Sequence, residues 1–165
     1  MSREHFKLSA VTPLEGYRLR LTYADDCSFE VDLTEWVKNT KALAVLKDGA
    51  LFDHARVGVG GWSVDWIEDE IDLGSDNLRN LGVEQAGGIG HERIWNWLYE
   101  TGLSLEQGAE ALGISRKMLI YYRDGEKPIP RHIWLACLGW DAVRPQGSRL
   151  PKNRPTAQQY AVLHA

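Results

Sequence analysis

The sequence has few residues of the kinds that build covalent or metal-bound scaffolds. Two cysteines occur among 165 residues, Cys27 and Cys137, and they lie far apart with no C-x-x-C pair. Two cysteines far apart in the sequence exclude a framework of several disulfides and a cysteine-rich zinc finger. We therefore expect two reduced thiols in a cytoplasmic protein.

Long apolar runs are also missing. No apolar stretch reaches the length of about eighteen residues that a membrane span needs, so we expect no membrane segment. The first six residues lack the apolar region of a signal peptide. Hydrophobic residues nevertheless make up 44% of the chain, which is enough to build a globular core.

Motifs for catalysis and for metal binding are absent. The five histidines are scattered, with no H-x-x-x-H pair, and no G-x-S-x-G occurs. The glycine run 58–61 lacks the Gly-Lys-Ser/Thr of a phosphate loop, so we interpret it as a hairpin turn. The acidic run 68–70 lacks the ligand spacing of an EF-hand, which favours a solvated turn. We expect no enzymatic activity, no cofactor and no metal site.

Residues 103–125 form the most informative segment of the chain. Ser104 precedes an apolar-periodic stretch, as a helix N-cap does, and Gly113 ends that stretch. Ser115 then caps a second helical pattern, which stops at Gly125. Two short helices joined by a tight turn make a helix-turn-helix. Its second helix is the kind that enters a DNA major groove.

This segment resembles the helix-turn-helix of the Cro/C1-type, phage-repressor-like transcription regulators. Two positions depart from that pattern. Gly108 stands where a leucine is usual, at a cost of about 1 kcal/mol relative to alanine inside a helix. Arg123 stands where a glutamate is common. The matching residues are Ser104, Ala109, Leu112, Gly113, Ile114, Ser115, Leu119 and Gly125.

The second helix supplies the candidate base-reading residues. Ser115 is its cap, and Arg116 and Lys117 lie at the end that usually reaches base edges. An arginine there can pair with guanine, a contact that discriminates by about 1–3 kcal/mol. Ile120 and Tyr121 lie one turn further along the outward side, where they could contact a thymine methyl or a phosphate.

Three further residues are candidates for phosphate contacts. Ser104 starts the first helix, and Arg123 and Lys127 lie at the far end of the second. Such contacts fix the register of a protein on the duplex without reading its sequence.

The charge of the chain is unevenly distributed. Residues 1–85 contain 9 Lys and Arg against 16 Asp and Glu, a net charge of −7, whereas residues 86–165 contain 10 against 7, a net charge of +3. The basic excess thus lies in the half that carries the two-helix pattern. A local positive field of this kind is what phosphate binding requires.

The N-terminal half is rich in strand patterns. Residues 17–23 alternate with period two, which directs Leu19, Leu21 and Tyr23 to a core. Short motifs in this half resemble the small bacterial family DUF2442, a domain of unknown function found beside helix-turn-helix modules and, in some members, proposed to act in toxin–antitoxin pairs. That resemblance implies an α+β domain. The motifs are Tyr17-Arg18-Leu19, Val31-Asp32-Leu33, Leu51-Phe52, Val64-Asp65-Trp66 and Ile71-Asp72-Leu73.

Together these patterns predict an α+β protein with a small strand-rich domain at 1–85, an all-α helix-turn-helix domain at 86–145 and a polar, basic tail at 146–165. The glycine-rich segment 87–90 favours the boundary. We expect sequence-specific binding of double-stranded DNA by a transcriptional regulator. A homodimer is expected, with tryptophans of the first domain at its interface. The alternative is an antitoxin-like or other protein-interaction module that uses the same helices as a scaffold for a protein partner.

Overall fold

The computed structural model describes residues 3–145, 150–153 and 158. The chain divides into two compact units, Met1–Gly90 and His91–Ala165. The predicted tail at 146–165 falls mostly outside the described residues. Among the described residues, no helix has the length and apolar content needed to cross a bilayer.

Strands of the first unit form two antiparallel sheets. The first sheet has the order β1-β2-β3, with Leu19 opposite Val31, and the second has the order β4-β5-β6. The alternation predicted for residues 17–23 is confirmed, because Leu19, Leu21 and Tyr23 are fully buried. The strands are β1 (Leu8–Leu14), β2 (Arg18–Tyr23), β3 (Ser28–Asp32), β4 (Arg56–Val57), β5 (Ser63–Ile67) and β6 (Ile71–Gly74).

Helices of the first unit are short apart from one. They are α1 (Thr34–Asn39), α2 (Gly49–Phe52) and α3 (Ser75–Gln85), with 3-10 turns at Glu4–Phe6, Lys41–Lys47 and Val59–Gly61. The turn at Val59–Gly61 connects β4 to β5, so the interpretation of the glycine run as a hairpin turn is confirmed.

The sequence patterns before the predicted boundary at residue 85 are mostly those of strands and turns. The helix α3 is therefore missing from the prediction. Two hydrogen bonds tie the following glycine segment to this helix. Gly88 N donates to the carbonyl of Val83 at 2.9 Å, and Gly90 N donates to the Glu84 carboxylate at 2.8 Å. The compact unit accordingly extends to Gly90.

The described residues of the second unit that have regular structure are helical. The helices are α4 (Glu92–Thr101), α5 (Leu105–Leu112), α6 (Arg116–Arg123) and α7 (Arg131–Val143). The mixed α+β class, with strands first and helices after them, agrees with the prediction.

The register predicted for α4 is wrong at its tryptophans. The helical pattern of residues 92–100 predicts Ile94, Trp95 and Leu98 inside and Trp97 at the surface, but Trp97 is 2% exposed and Trp95 is 50% exposed. Ile94, Trp97 and Leu98 form the buried stripe, at the i, i+3 and i+4 spacing of one helix face. Ile94 and Leu98 belong to the buried face both in the predicted and in the observed arrangement. The sequence pattern therefore did not discriminate between Trp95 and Trp97 as the third buried residue.

The sequence pattern predicts a core of the second unit, and this prediction is correct in part; its members are Leu112, Ile114, Leu119, Tyr122, Trp134 and Leu138. Leu119 and Tyr122 are buried, as expected. Leu112, Ile114 and Trp134 are half-buried, and Leu138 is 46% exposed. The buried face of α7 instead contains Ile133 and Cys137, which are four residues apart.

Candidate nucleic-acid interface

The first helix of the two-helix segment begins with a reciprocal cap. Gln107 N donates to Ser104 Oγ at 3.1 Å, and Ser104 N donates to Gln107 Oε1 at 2.9 Å. This capping box satisfies two backbone donors that the helix cannot satisfy itself. At the other end, Gly113 takes a φ of 69°, which suits glycine and stops α5.

The second helix starts after one extended residue. Met118 N donates to Ser115 Oγ at 3.1 Å, so Ser115 is the N-cap of α6, as predicted. Leu119 and Tyr122 face the core of the unit. Their burial fixes the rotation of α6 and leaves Arg116 and Lys117 exposed at its N-terminal end.

A glycine allows α5 to lie close to its neighbours. A Cβ on Gly108 would lie 2.7 Å from Leu98 Cδ2, 3.2 Å from Leu119 Cδ2 and 3.4 Å from Trp97 Cζ3. The space that a leucine would need at this position is therefore occupied by side chains of α4 and α6. Trp97 also packs edge-on against Trp140 of α7, with ring centroids 5.8 Å apart.

A basic and aromatic cluster lies on the outward side of α6. Lys117 Nζ lies 5.6 Å from the ring centroid of Tyr121, and Lys127 Nζ lies 4.8 Å from it. Two of the predicted contact residues, Lys117 and Lys127, thus lie close to a third, Tyr121. The cluster presents two cations beside a half-buried ring, a combination that can hold phosphates or stack on nucleic acid.

The exposed Arg116 has an intramolecular partner. Its Nε lies 2.6 Å from Glu106 Oε1, and both side chains are more than half exposed. The sequence prediction missed Glu106, because the pair crosses the turn between α5 and α6 and has no signature in local spacing. This contact restrains the guanidinium through Nε, and a pairing with a base that uses Nε would require Arg116 to leave the carboxylate.

Arg123 is committed to contacts inside its own unit. Its Nε and Nη2 donate to the Asp124 carboxylate at 2.8 and 3.2 Å, and its guanidinium lies 4.9 Å from the Trp95 ring centroid. Its side chain is 21% exposed. Of the two cations predicted to contact phosphate, Lys127 is exposed, whereas the guanidinium of Arg123 is already occupied by these contacts. A phosphate contact by Arg123 stays a prediction.

The remaining predicted residues lie on or beside the same surface. Ile120 is half-buried on α6, whereas Ser104 and Ser115 use their hydroxyl groups as helix caps. Any contact of these two serines with phosphate would therefore involve their helix N-termini together with the hydroxyl groups.

The described residues of the chain give little support to a metal site or to a nucleophilic cysteine. None of their histidine, cysteine, aspartate and glutamate side chains form a group of three that could hold a metal ion. Burial, together with the nearby charge of Asp141, raises the pKa of the Cys137 thiol to about 12. That thiol therefore stays protonated at neutral pH and is a poor nucleophile.

Comparison with known proteins identifies a relative of nearly the whole chain. No protein-family model matches the sequence, and no curated protein matches it significantly. Among solved structures, the chain is similar to the crystal structure of the putative DNA binding protein NE0471 from Nitrosomonas europaea ATCC 19718, with a TM-score of 0.83. The two sequences are 43% identical, and the similarity covers 91% of this chain and 96% of NE0471. At this identity and coverage, the chain belongs to the same protein family as NE0471.

Proposed function

We propose that this protein binds double-stranded DNA in a sequence-specific way, through a helix-turn-helix made of α5 and α6, and that it acts as a transcriptional regulator rather than as an enzyme. The observation that carries the proposal is the outward side of α6. Arg116 and Lys117 stand exposed at its start, while its opposite side is anchored in the core by Leu119 and Tyr122.

The arrangement of cations matches two different tasks. Arg116 lies at the helix end that enters the groove, where a guanidinium can pair with guanine O6 and N7. Lys117 and Lys127 both lie close to the ring of Tyr121, where they can neutralise phosphates. NE0471 is named a putative DNA binding protein, which supports the same function for this chain.

Two binding measurements test the proposal. Fluorescence anisotropy with a random duplex should give an affinity that falls steeply with added salt, because neutralised phosphates release counterions. Selection from a random duplex pool should then enrich one motif. Binding that is weak and insensitive to salt, with no enriched motif, would instead favour a protein-interaction module such as an antitoxin.

A matched pair of variants locates the DNA surface. Lys117→Ala and Lys127→Ala, which remove the two cations beside Tyr121, should each weaken binding of random duplex. Lys41→Ala removes an exposed cation of the first unit, outside the two-helix segment, and should leave binding unchanged. Equal losses in all three variants would point to net charge alone and not to the cluster.

A further inference from the structure

The basic and aromatic cluster beside α6 consists of Lys117, Tyr121 and Lys127. Lys117 and Tyr121 are four residues apart on the helix and therefore share one of its faces. The ammonium groups of both lysines lie close to the Tyr121 ring, at 5.6 Å from its centroid for Lys117 and 4.8 Å for Lys127. Both lysines are exposed, and Tyr121 is half-buried. Two cations from different segments of the chain thus meet at one ring.

The backbone after α6 places Lys127 at this ring. Gly125 takes a φ of 69°, a conformation that suits glycine and turns the chain at the end of the helix. Glu126 N and Lys127 N then both donate to the carbonyl of Tyr121, at 3.0 and 3.3 Å. The helix therefore places Lys117, and the turn that follows places Lys127, through backbone contacts of the protein itself.

The two ammonium groups have no acidic partner. Within the part of the chain that the structure describes, neither Lys117 nor Lys127 forms an ion pair. Because both ammonium groups lie close to one ring, their like charges repel each other, although the ring attracts each of them. An anion in contact with both would replace this repulsion by two attractions. The arrangement is therefore suited to a single anionic group.

On the basis of the proposed function, we propose that Lys117 and Lys127 bind one and the same phosphate of the DNA backbone, and that Tyr121 is the positioning residue that holds both ammonium groups near it. This assignment gives different roles to two neighbouring residues. The sequence pattern predicts Arg116 and Lys117 together at base edges, whereas Lys117 Nζ lies beside a ring one turn further along α6. Arg116 remains the base-reading residue, and Lys117 becomes a phosphate contact.

A double-variant cycle tests whether one phosphate is shared. Anisotropy with random duplex at several salt concentrations gives the affinity and the salt slope, which rises with the number of neutralised phosphates. Lys117→Ala and Lys127→Ala should each lower the slope by about one unit, and so should the double variant, because the phosphate needs both cations. The affinity of the double variant should stay within about twofold of that of the weaker single variant. A slope lowered by about two units, with affinity losses that multiply, would mean two separate phosphates and overturn the proposal while DNA binding stands. A wild-type protein that binds no duplex would contradict the proposed function, and this proposal with it.

Two substitutions of Tyr121 test its positioning role. Tyr121→Phe keeps the ring and should bind random duplex as the wild-type protein does. Tyr121→Leu removes the ring and should lower the salt slope as the loss of one lysine does, yet it should have no further effect when Lys117 and Lys127 are both alanine. Urea unfolding checks that each variant folds. Equal losses in Tyr121→Phe and Tyr121→Leu, or a wild-type salt slope in a folded Tyr121→Leu variant, would show that the ring does not position the lysines.

Discussion

Glu106 shows at the residue scale how an acidic side chain can restrain Arg116, the residue that we propose reads DNA. Its carboxylate lies 2.6 Å from Arg116 Nε, across the turn between α5 and α6. An exposed ion pair of this kind contributes only about 0–1 kcal/mol, so DNA can break it. A free carboxylate next to the duplex would also repel phosphates.

Removing that carboxylate should tighten DNA binding. We expect Glu106→Gln to raise affinity for duplex DNA by about fivefold, the equivalent of the upper value for an exposed pair. Glu110→Gln removes the same charge from the same helix, but that residue has no described contact with Arg116. Anisotropy titrations of the two variants distinguish release of Arg116 from a general change of charge. Equal gains would contradict a specific role for the pair.

Gly108 explains a departure from the Cro/C1-type pattern that looked unfavourable in the sequence. The glycine costs helix propensity, but Leu98, Leu119 and Trp97 fill the space where a side chain would stand. Leu98, whose Cδ2 would lie closest to a Cβ at this position, accounts most directly for the small residue at 108.

Restoring the usual leucine should destabilise the protein. Gly108→Leu should lower the free energy of unfolding by about 1–3 kcal/mol, the typical penalty for overpacking a core. Gly139→Ala is a control, because a Cβ at that helical glycine would meet nothing within 4 Å. That change should raise stability by up to about 1 kcal/mol. Urea unfolding measures the free-energy changes of both variants. A Gly108→Leu variant as stable as the wild-type protein would contradict the close packing of α4 and α6 against α5.

At the scale of elements, local signals decided which helices could be predicted. The segments α5 and α6 each have a serine cap at the start and a glycine near the end, and the sequence placed both correctly. Helix α3 has no side-chain cap and contains Gly82, so its local signals are weaker than those of α5 and α6. Its position depends on tertiary contacts, because a Cβ on Gly82 would lie 2.7 Å from Phe29.

A partly buried ion pair links α3 to the turn between β2 and β3. Arg79 on α3 donates to both oxygens of Asp25, at 3.0 and 2.7 Å, and to the carbonyl of His5 at 2.7 Å. Its guanidinium also lies 5.0 Å from the Tyr23 ring centroid. Partial burial by itself would raise the pKa of Asp25, but the hydrogen bonds and the charge of Arg79 outweigh that effect and lower the pKa.

This pair should make the stability of the protein depend on acid. A carboxyl whose pKa is lower in the folded state stabilises the fold at neutral pH. That stabilisation is lost as the pH falls below about 4 and through the folded-state pKa. Asp25→Asn should therefore be less stable at pH 7 and should lose less further stability on acidification. Asp53→Asn, at an exposed site, should keep the wild-type profile in urea unfolding from neutral to acidic pH. Parallel profiles for Asp25→Asn and the wild-type protein would contradict the role of the pair.

At the scale of the whole molecule, the sequence separates an acidic half from a basic half, and the structure separates two compact units near the same point. The relative NE0471 matches across both units. The periodicity of the sequence predicted the α+β class and the two helices of the candidate site. It did not reveal the contact of Glu106 with Arg116, because this depends on how α5 and α6 pack, nor that of Lys127 with Tyr121, because this depends on the path of the chain after α6.

The central claim is that α6 reads bases at its start and that phosphates are bound beyond its end. The most direct test compares Arg116→Ala with Lys127→Ala on the selected duplex and on random duplex. Arg116→Ala should weaken binding to the selected site far more than binding to random DNA, because a base contact is lost. Lys127→Ala should weaken both about equally and lower the salt slope by about one unit. If neither substitution changes binding at low salt, the groove assignment is wrong and the two helices serve a protein partner instead.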